Sequence, residues 1–502
     1  MAEYNVKASP YNAKGDGTTD DTSAIQNCFN ACSTNGDGYV YIPSGTYMIN
    51  AITSLQAPSN IKIVFNSKAT LKAITTNTNT SCVLMINNVS NVDIDGSFAT
   101  VMGDRDTNTY VGGEYGMCVK ITDSTNVTIR NLIATKGYGD GFYVGTNNSG
   151  FCENVNLINC TADSNRRNGL SIISAKNMLV KGGEYKNTNG TNPQYGIDIE
   201  PNNGNNTIQN VNLEGVSTSN NVNGGLQVVP MFAGGGKFSV NVENFTSDSD
   251  LGEGIALIGG SPVSATEVYG KINIKDSLIV NPYTNGVYFQ TWRNMPRADV
   301  SNVTVINPNQ GNSANNQVSS AFVVYASPND SAGNYGNINF ENCGVIDNRT
   351  TSQTYAAYFM ASDSTHNIQN VSIVDPFWEG LKTTLKGWIA LPGNYFGTAK
   401  FTTPNVVNLS ASQDPTPLLG QEIVPTAAMT LQFASSNSSI GNEFIVRNGA
   451  ASGTVTVSVS TGDTIIHKGA AVTSIALTTA GMFVKIRAIG SNKYVVVEHN
   501  VA

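Results

Sequence analysis

Two carboxylates stand one residue apart in the segment 195–202, YGIDIEPN: Asp198 and Glu200, with Ile199 between them. The apolar residues around them alternate as in a strand. Both acids therefore project from one face, about 6.5 to 7 Å apart along the backbone. Carboxyl pairs at such spacing suit glycoside hydrolysis. Groups about 5 to 5.5 Å apart act as nucleophile and acid/base, and groups about 6.5 to 9.5 Å apart act as an inverting pair with a water between. Acids on a strand surface can also be merely solvated, and EPN can simply begin a turn.

Other residues compete for or complete this chemistry. Asp140 and Glu253 each precede a glycine in a segment patterned like YGIDIE, and either can partner Asp198 as a catalytic acid; turn stabilisation is the alternative. Arg166 and Arg167 can bind acidic sugars, or neutralise a uronate in a β-elimination while a tyrosine takes the proton. They can equally be solvated turn residues. Gln227, Tyr143, Tyr288, Trp292 and Arg293 are candidate sugar contacts, the rings by stacking and Arg293 as a hydrogen-bond fork. A subunit interface would bury the same side chains. Histidine chemistry has little to work with, since the chain holds only His366, His467 and His499. No stack of aligned acids suggests calcium, so neither metal nor cofactor is expected.

The elements that position these residues form a repeat. A glycine followed by alternating apolar residues recurs in DGFYVG, NGLSII, YGIDIE, GGLQVV, EGIALI and NGVYFQ. The glycines, Gly141, Gly169, Gly196, Gly225, Gly254 and Gly286, lie roughly 27 to 32 residues apart. A second ladder, including NVTIRN, NVNLIN, NVNLEG, KINIKD and NVTVIN, is interleaved with it. Each period thus holds at least two short strands separated by Asn/Gly/Asp/Ser turns. Strands so short cannot bury a face alone, but coils stacked about 4.8 Å apart can pair strand with strand. The expected fold is all-β, a right-handed parallel β-helix; propeller blades would need hairpins that these periods lack. Aligned on the glycines, Phe142/Val144, Leu170/Ile172, Ile197/Ile199 and Leu226/Val228 face inward. Tyr143, Ser171, Asp198, Gln227, Ala256 and Tyr288 then form one outward row. Ile173 and Val229 flank Glu200 in the stack. Apolar neighbours should raise its pKa and favour it as general acid, leaving Asp198 ionised as base or nucleophile.

The two ends depart from the period. GDGTTDDTSAIQNCFNAC combines an Asp/Thr cluster of capping type with a helical pattern, giving a helix that covers the first coil over residues 1–50. Residues 51–403 hold the coils and the site. Beyond lie a Pro-punctuated linker and a small antiparallel β-sandwich, 404–502, for trimerisation or carbohydrate binding. Net charge is −8 and pI about 5.0, which excludes the clustered basic surface of a nucleic-acid binder. No apolar run is long enough to insert in a membrane. The N-terminus lacks the basic and apolar regions of a secretory leader. The expectation is an intracellular chain, one released by another route, or one whose beginning has been removed. Seven cysteines without a CxxC pair read as buried thiols rather than a disulfide framework.

The opening YNVKASPYNAKGDGTTDDTSAIQNCFNACSTNGDGYVYIPSGTYMI resembles the N-terminal signature of pectate-lyase-like β-helix proteins. With the Asn-rich coils, NRRNGLSIIS, YGIDIEPN and the terminal sandwich, the chain is most similar to bacteriophage tailspike depolymerases. That resemblance implies a homotrimer on a virion tail that binds and cuts bacterial capsular or O-antigen polysaccharide outside the host cell. It also implies attachment to the tail or baseplate through an N-terminal part that is not seen here. A polysaccharide lyase, a trimeric adhesin without enzymatic activity and a pectinase-like bacterial enzyme remain alternatives.

Overall fold

The computed structural model describes the chain apart from residues 149, 234–236, 261–266, 328, 331, 351–353, 362–365, 375–376, 380–387, 392–393, 401–405, 410–421, 434–442, 491–492 and 502. Contacts divide it into two compact units, residues 1–258 with 266–283, and residues 259–265 with 284–502.

In the first unit the helix Thr22–Asn35 buries Ile25, Cys28, Phe29 and Cys32, the i, i+3, i+4, i+7 stripe of an amphipathic helix. Gly36, at φ 70°, stops it by donating its N–H to the Cys32 carbonyl. The acids before it brace the entering loop. Asp16 accepts the N–H groups of Thr18 and Thr19, and Asp21 accepts those of Lys14 and Gly15. Asp21 occupies the N-cap position, where its carbonyl accepts the Ile25 N–H while its side chain makes no cap bond to the helix.

The four successive coils from Phe142 to Asp248 carry three separate strands each, one more than the repeat requires. The site-bearing sheet pairs Cys82–Asn87, Met117–Thr122, Phe142–Gly145, Leu170–Ile172, Tyr195–Ile199, Gly224–Val228 and Glu253–Ile258, all parallel and in chain order. A second row runs through Cys152–Ile158, Ala175–Lys181, Ile208–Glu214 and Lys237–Glu243. The third consists of three-residue strands: Thr161–Asp163, Glu184–Lys186, Ser217–Ser219 and Thr246–Asp248. Strands of that length leave no alternation to read in a sequence.

Phe142, Val144, Leu170, Ile172, Ile197, Ile199, Leu226 and Val228 are fully buried. Each such side chain is worth about 1.5–3 kcal/mol of burial, so stacked rows of them hold the coils together. Asn126, Asn154 and Asn210 begin the NV- segments, and Asn177 the equivalent NMLV, all at φ near 55°. Asparagine tolerates this left-handed conformation best after glycine. Their amides bond from coil to coil, Asn126 to Asn91, Asn154 to Asn126 and Asn210 to Asn177. The seven cysteines are all free and buried.

The recurring glycine has a steric cause. A methyl group at Gly169 would stand 2.5 Å from the Gly196 carbonyl oxygen, one at Gly196 2.9 Å from that of Gly225, and one at Gly225 2.6 Å from that of Gly254. Each glycine lets its coil close on the next.

In the second unit Val287–Gln290, Ser320–Ala326, Tyr355–Ala361 and Trp388–Leu391 form a parallel series. Most of the expected linker lies outside the described residues. The C-terminal strands form two sheets over a shared core that includes Ile423, Leu431, Phe444, Val457, Ile486 and Tyr494. The sheets are mixed rather than purely antiparallel. Glu422–Pro425, Met429–Phe433, Glu443–Arg447 and Val455–Val459 alternate between the two sheets, so like strands pair in parallel. Antiparallel pairing begins with Thr464–His467 against Ala470–Val472, and Ser474–Leu477 and Phe483–Gly490 then turn back on the parallel strands.

Gly196→Ala should destabilise the protein by about 1–3 kcal/mol, the usual cost of overpacking, because its methyl meets the next coil's backbone. Chemical denaturation checks this; an unchanged midpoint would contradict the glycine argument.

Candidate active site

The predicted outward row is formed over five coils. Tyr143 pairs in register with Ser171, Ser171 with Asp198, Asp198 with Gln227 and Gln227 with Ala256. Ile173 and Val229 flank Glu200 as expected, since the Glu200 N–H donates to Ile172 and that of Val229 to Ile199.

Asp198 and Asp140 lie two coils apart, and the coil between them supplies what joins them. Asn168 donates its backbone N–H to Asp140 Oδ1 at 3.0 Å and its side-chain amide to Asp198 Oδ2 at 3.1 Å. The same amide reaches Ser171 Oγ, and its Oδ1 accepts the Tyr195 N–H. Arg167 donates to Asp140 Oδ2 at 3.2 Å and to Ser171 Oγ at 3.3 Å, and its Nε lies 3.8 Å from Glu114. Asp140, Asn168, Ser171 and Asp198 are fully buried, Arg167 is largely buried and Glu200 half-buried.

Burial decides the electrostatics. It raises Asp140, although Arg167 and the hydrogen bonds from Ser171 and Asn168 pull the other way. It raises Asp198 well above the usual carboxylate range, with the charges of Glu200 and Asp140 adding to the effect and Arg167 opposing it. Glu200 is also raised by burial, opposed by Arg167. For Arg167, burial works against its charge. The surrounding carboxylates Asp140, Asp198, Glu114 and Glu200 outweigh it and hold the guanidinium protonated. The expected division of labour does not follow: Asp198, not Glu200, is the more deeply buried acid, and burial raises both. A carboxyl facing outward from a sheet is solvated only if nothing covers it, and here turns and side chains of adjoining coils do.

Several candidates fall elsewhere. Glu253 accepts a hydrogen bond from the Tyr195 hydroxyl at 3.0 Å, across Gly224, which stands between them in register. Arg166 is not with the acids. Its guanidinium lies 4.2 Å from the Tyr138 ring centre and donates to the carbonyls of Gly113 and Tyr138, pinning the loop that delivers Glu114. Tyr143 is buried against Met117 and Ile173, so it offers no open ring face. In the second unit Trp292 is buried, edge-on to Phe289, with its indole N–H on the Pro296 carbonyl. Tyr288 is buried and its hydroxyl accepts from Gln317; Arg293 donates to the Ala332 carbonyl. The three rings expected to stack on sugars are thus packing residues, because inserted loops and adjoining coils cover what a bare strand face would expose. The exposed aromatics near the acids are Tyr110 and Tyr115, on the Glu114 loop. Glu114, Tyr110 and Tyr115 sit in VGGEYG and its approach, outside any period, so no register signalled them. Asn168 was visible in NRRNGL but carried no mark of its bridging role.

A carboxyl that binds its proton more tightly when folded supports the fold fully below the unfolded aspartate range, about pH 3.9. That support is lost as pH rises from there through the raised folded value, by about 1.4 kcal/mol per pH unit at most. Asp198→Asn should therefore match the parent near pH 4 and exceed it in stability at neutral pH and above. Equilibrium unfolding at a series of pH values measures this, and a variant less stable than the parent at neutral pH would overturn the burial argument.

Residues 4–95 match the family model described as rhamnogalacturonase A/epimerase, pectate lyase-like. Relatives include YclG of Bacillus subtilis strain 168, 26% identical over 228 residues, or 40% of this chain and 38% of that protein. Plasmin and fibronectin-binding protein A of Streptococcus pneumoniae is 29% identical over 182 residues, 36% of this chain and 24% of its own length. Alginate lyase 7 of Azotobacter vinelandii is 28% identical over 214 residues, 36% of this chain and 24% of its own. The matches thus span well under half of each relative. Among solved structures, the A-module of the Azotobacter vinelandii mannuronan C-5 epimerase AlgE6 superposes with TM-score 0.56 at 15% identity, covering 80% of this chain and all of that one. The fold is the pectate-lyase-like right-handed parallel β-helix.

Proposed function

We propose that this chain binds a polysaccharide along the outward row of its coils and cleaves it by glycoside hydrolysis, using Asp198 and Glu200. The observation that carries the reading is the pair itself: two carboxyls on one strand face, both raised, one fully buried and one half-buried. Groups so coupled titrate as a unit and hold a proton at a pH where isolated acids have lost it, as an acid catalyst must. Glu200, the member nearer the surface, is the one placed to meet a glycosidic oxygen. Asp198 stands behind it, and Arg167 balances the charge. Likeness to polysaccharide-modifying proteins supports a glycan substrate.

A β-elimination on a uronate needs a cation to spare for the sugar's carboxylate. Arg167 already faces Asp140, Asp198, Glu114 and Glu200, which favours hydrolysis over the lyase alternative. A binding-only role is favoured by one feature: Asp198 and Asp140 are fully covered in the free chain. We place the activity at the bacterial surface, on capsule or O-antigen, in a trimeric phage tailspike. The support for that assignment is the resemblance in the opening and coil segments.

Incubation with a panel of purified capsular and O-antigen polysaccharides, followed by mass spectrometry, tests the reaction. Fragments carrying one added water are expected; fragments with a new double bond would transfer the assignment to a lyase. Intact polymer that is nevertheless bound would leave an adhesin. Glu200→Gln should lower the cleavage rate by about 10²- to 10⁴-fold, the usual range for general acid–base groups, while retaining polymer binding. Equal loss of binding and cleavage would argue against its catalytic role.

A further inference from the structure

Asp198 uses one oxygen and leaves the other unmatched. Oδ2 accepts from Asn168 in the preceding coil, whereas Oδ1 is buried and accepts from no donor among the described residues. In the following coil Gln227 occupies the same register position on the same face, and its Oε1 is likewise buried without a donor. Buried polar atoms are rarely left unpaired, and two adjacent acceptors cannot satisfy one another. A hydrogen carried on Asp198 Oδ1 resolves both. A carboxylic acid can supply that hydrogen and an amide oxygen can receive it.

We propose that Asp198 is carried as a neutral acid whose proton sits on Oδ1 and is donated to Gln227 Oε1, which makes Gln227 a positioning residue rather than a sugar contact. The surroundings agree. The charged groups facing Asp198 are Glu200 on its own strand and Asp140 and Arg167 from the preceding coils, and Arg167 in turn faces Glu114. Three further carboxyls share this single guanidinium, so a fourth negative charge there is the least supported. The neutral form also takes a like charge off the strand face that Glu200 shares. The inference stands whether or not the chain cleaves a glycan, because it concerns a protonation state of the free protein.

Infrared difference spectroscopy of the full chain reads that state directly. At neutral pH the parent should show the carbonyl stretch of a protonated carboxyl that moves on incorporation of isotope-labelled aspartate. The band should vanish in Asp198→Asn and persist in an Asp140→Asn control. In Gln227→Leu it should move to higher frequency, as for a carboxylic acid that has lost its acceptor. No labelled-aspartate band in the parent would overturn the proposal. Asp198 would then be ionised, with the Gln227 amide turned to donate to it. A band lost with Asp198 but unmoved in Gln227→Leu would remove Gln227 from the role. The isotope measurement needs no variant, so a substitution that fails to fold leaves the central claim testable.

Discussion

Successive coils meet where a carbonyl oxygen lies over a glycine. Gly169, Gly196 and Gly225 leave no room for a methyl group above the next coil's backbone, and this contact fixes the parallel register of the site-bearing sheet. From it follow the fully buried inward row and the outward row running Tyr143, Ser171, Asp198, Gln227, Ala256. A slip of one residue would send every inward side chain out and bring the acids into the core. The position of the carboxylates is therefore set by packing at a glycine and not by any interaction of their own.

Once placed, the acids depend on the coil between them. Asn168 touches both Asp140 and Asp198, and Arg167 stands among four carboxyls. Burying ionisable groups is unfavourable unless they are paired, hydrogen-bonded or neutralised. All three remedies occur here: the Asp140–Arg167 ion pair, the bonds through Asn168 and Ser171, and the upward shift of Asp198. A buried cluster that raises the proton affinity of a carboxyl lowers stability at neutral pH, and such strain is tolerated where chemistry needs the proton. Arg166, beside Arg167 in sequence, serves a different purpose by clamping the loop that carries Glu114 over the Tyr138 ring. Adjacent residues of one type take separate roles because one side chain turns toward the acids and the other toward a loop.

The sequence alone determined the coil, the strand faces and the row on which Asp198 and Glu200 lie. These rest on alternation and on a recurring glycine, both local properties that survive translation into any parallel stack. It also marked the covering helix, whose apolar stripe lies at helical spacing, and the buried thiols. Tertiary structure decided what covers each residue, and hence its chemistry. Alternation assigns Tyr143 and Asp198 to the outward face, but only the folded chain reveals that both are buried there. The upward shift of Asp198 arises from this covering, as does the loss of Tyr143, Tyr288 and Trp292 as open stacking surfaces. Glu114 enters from a loop with no period, and the three-residue strands are too short to alternate. Periodicity transmits direction from sequence to structure; desolvation depends on neighbours distant in the chain, so it was settled only when the coils and their loops came together.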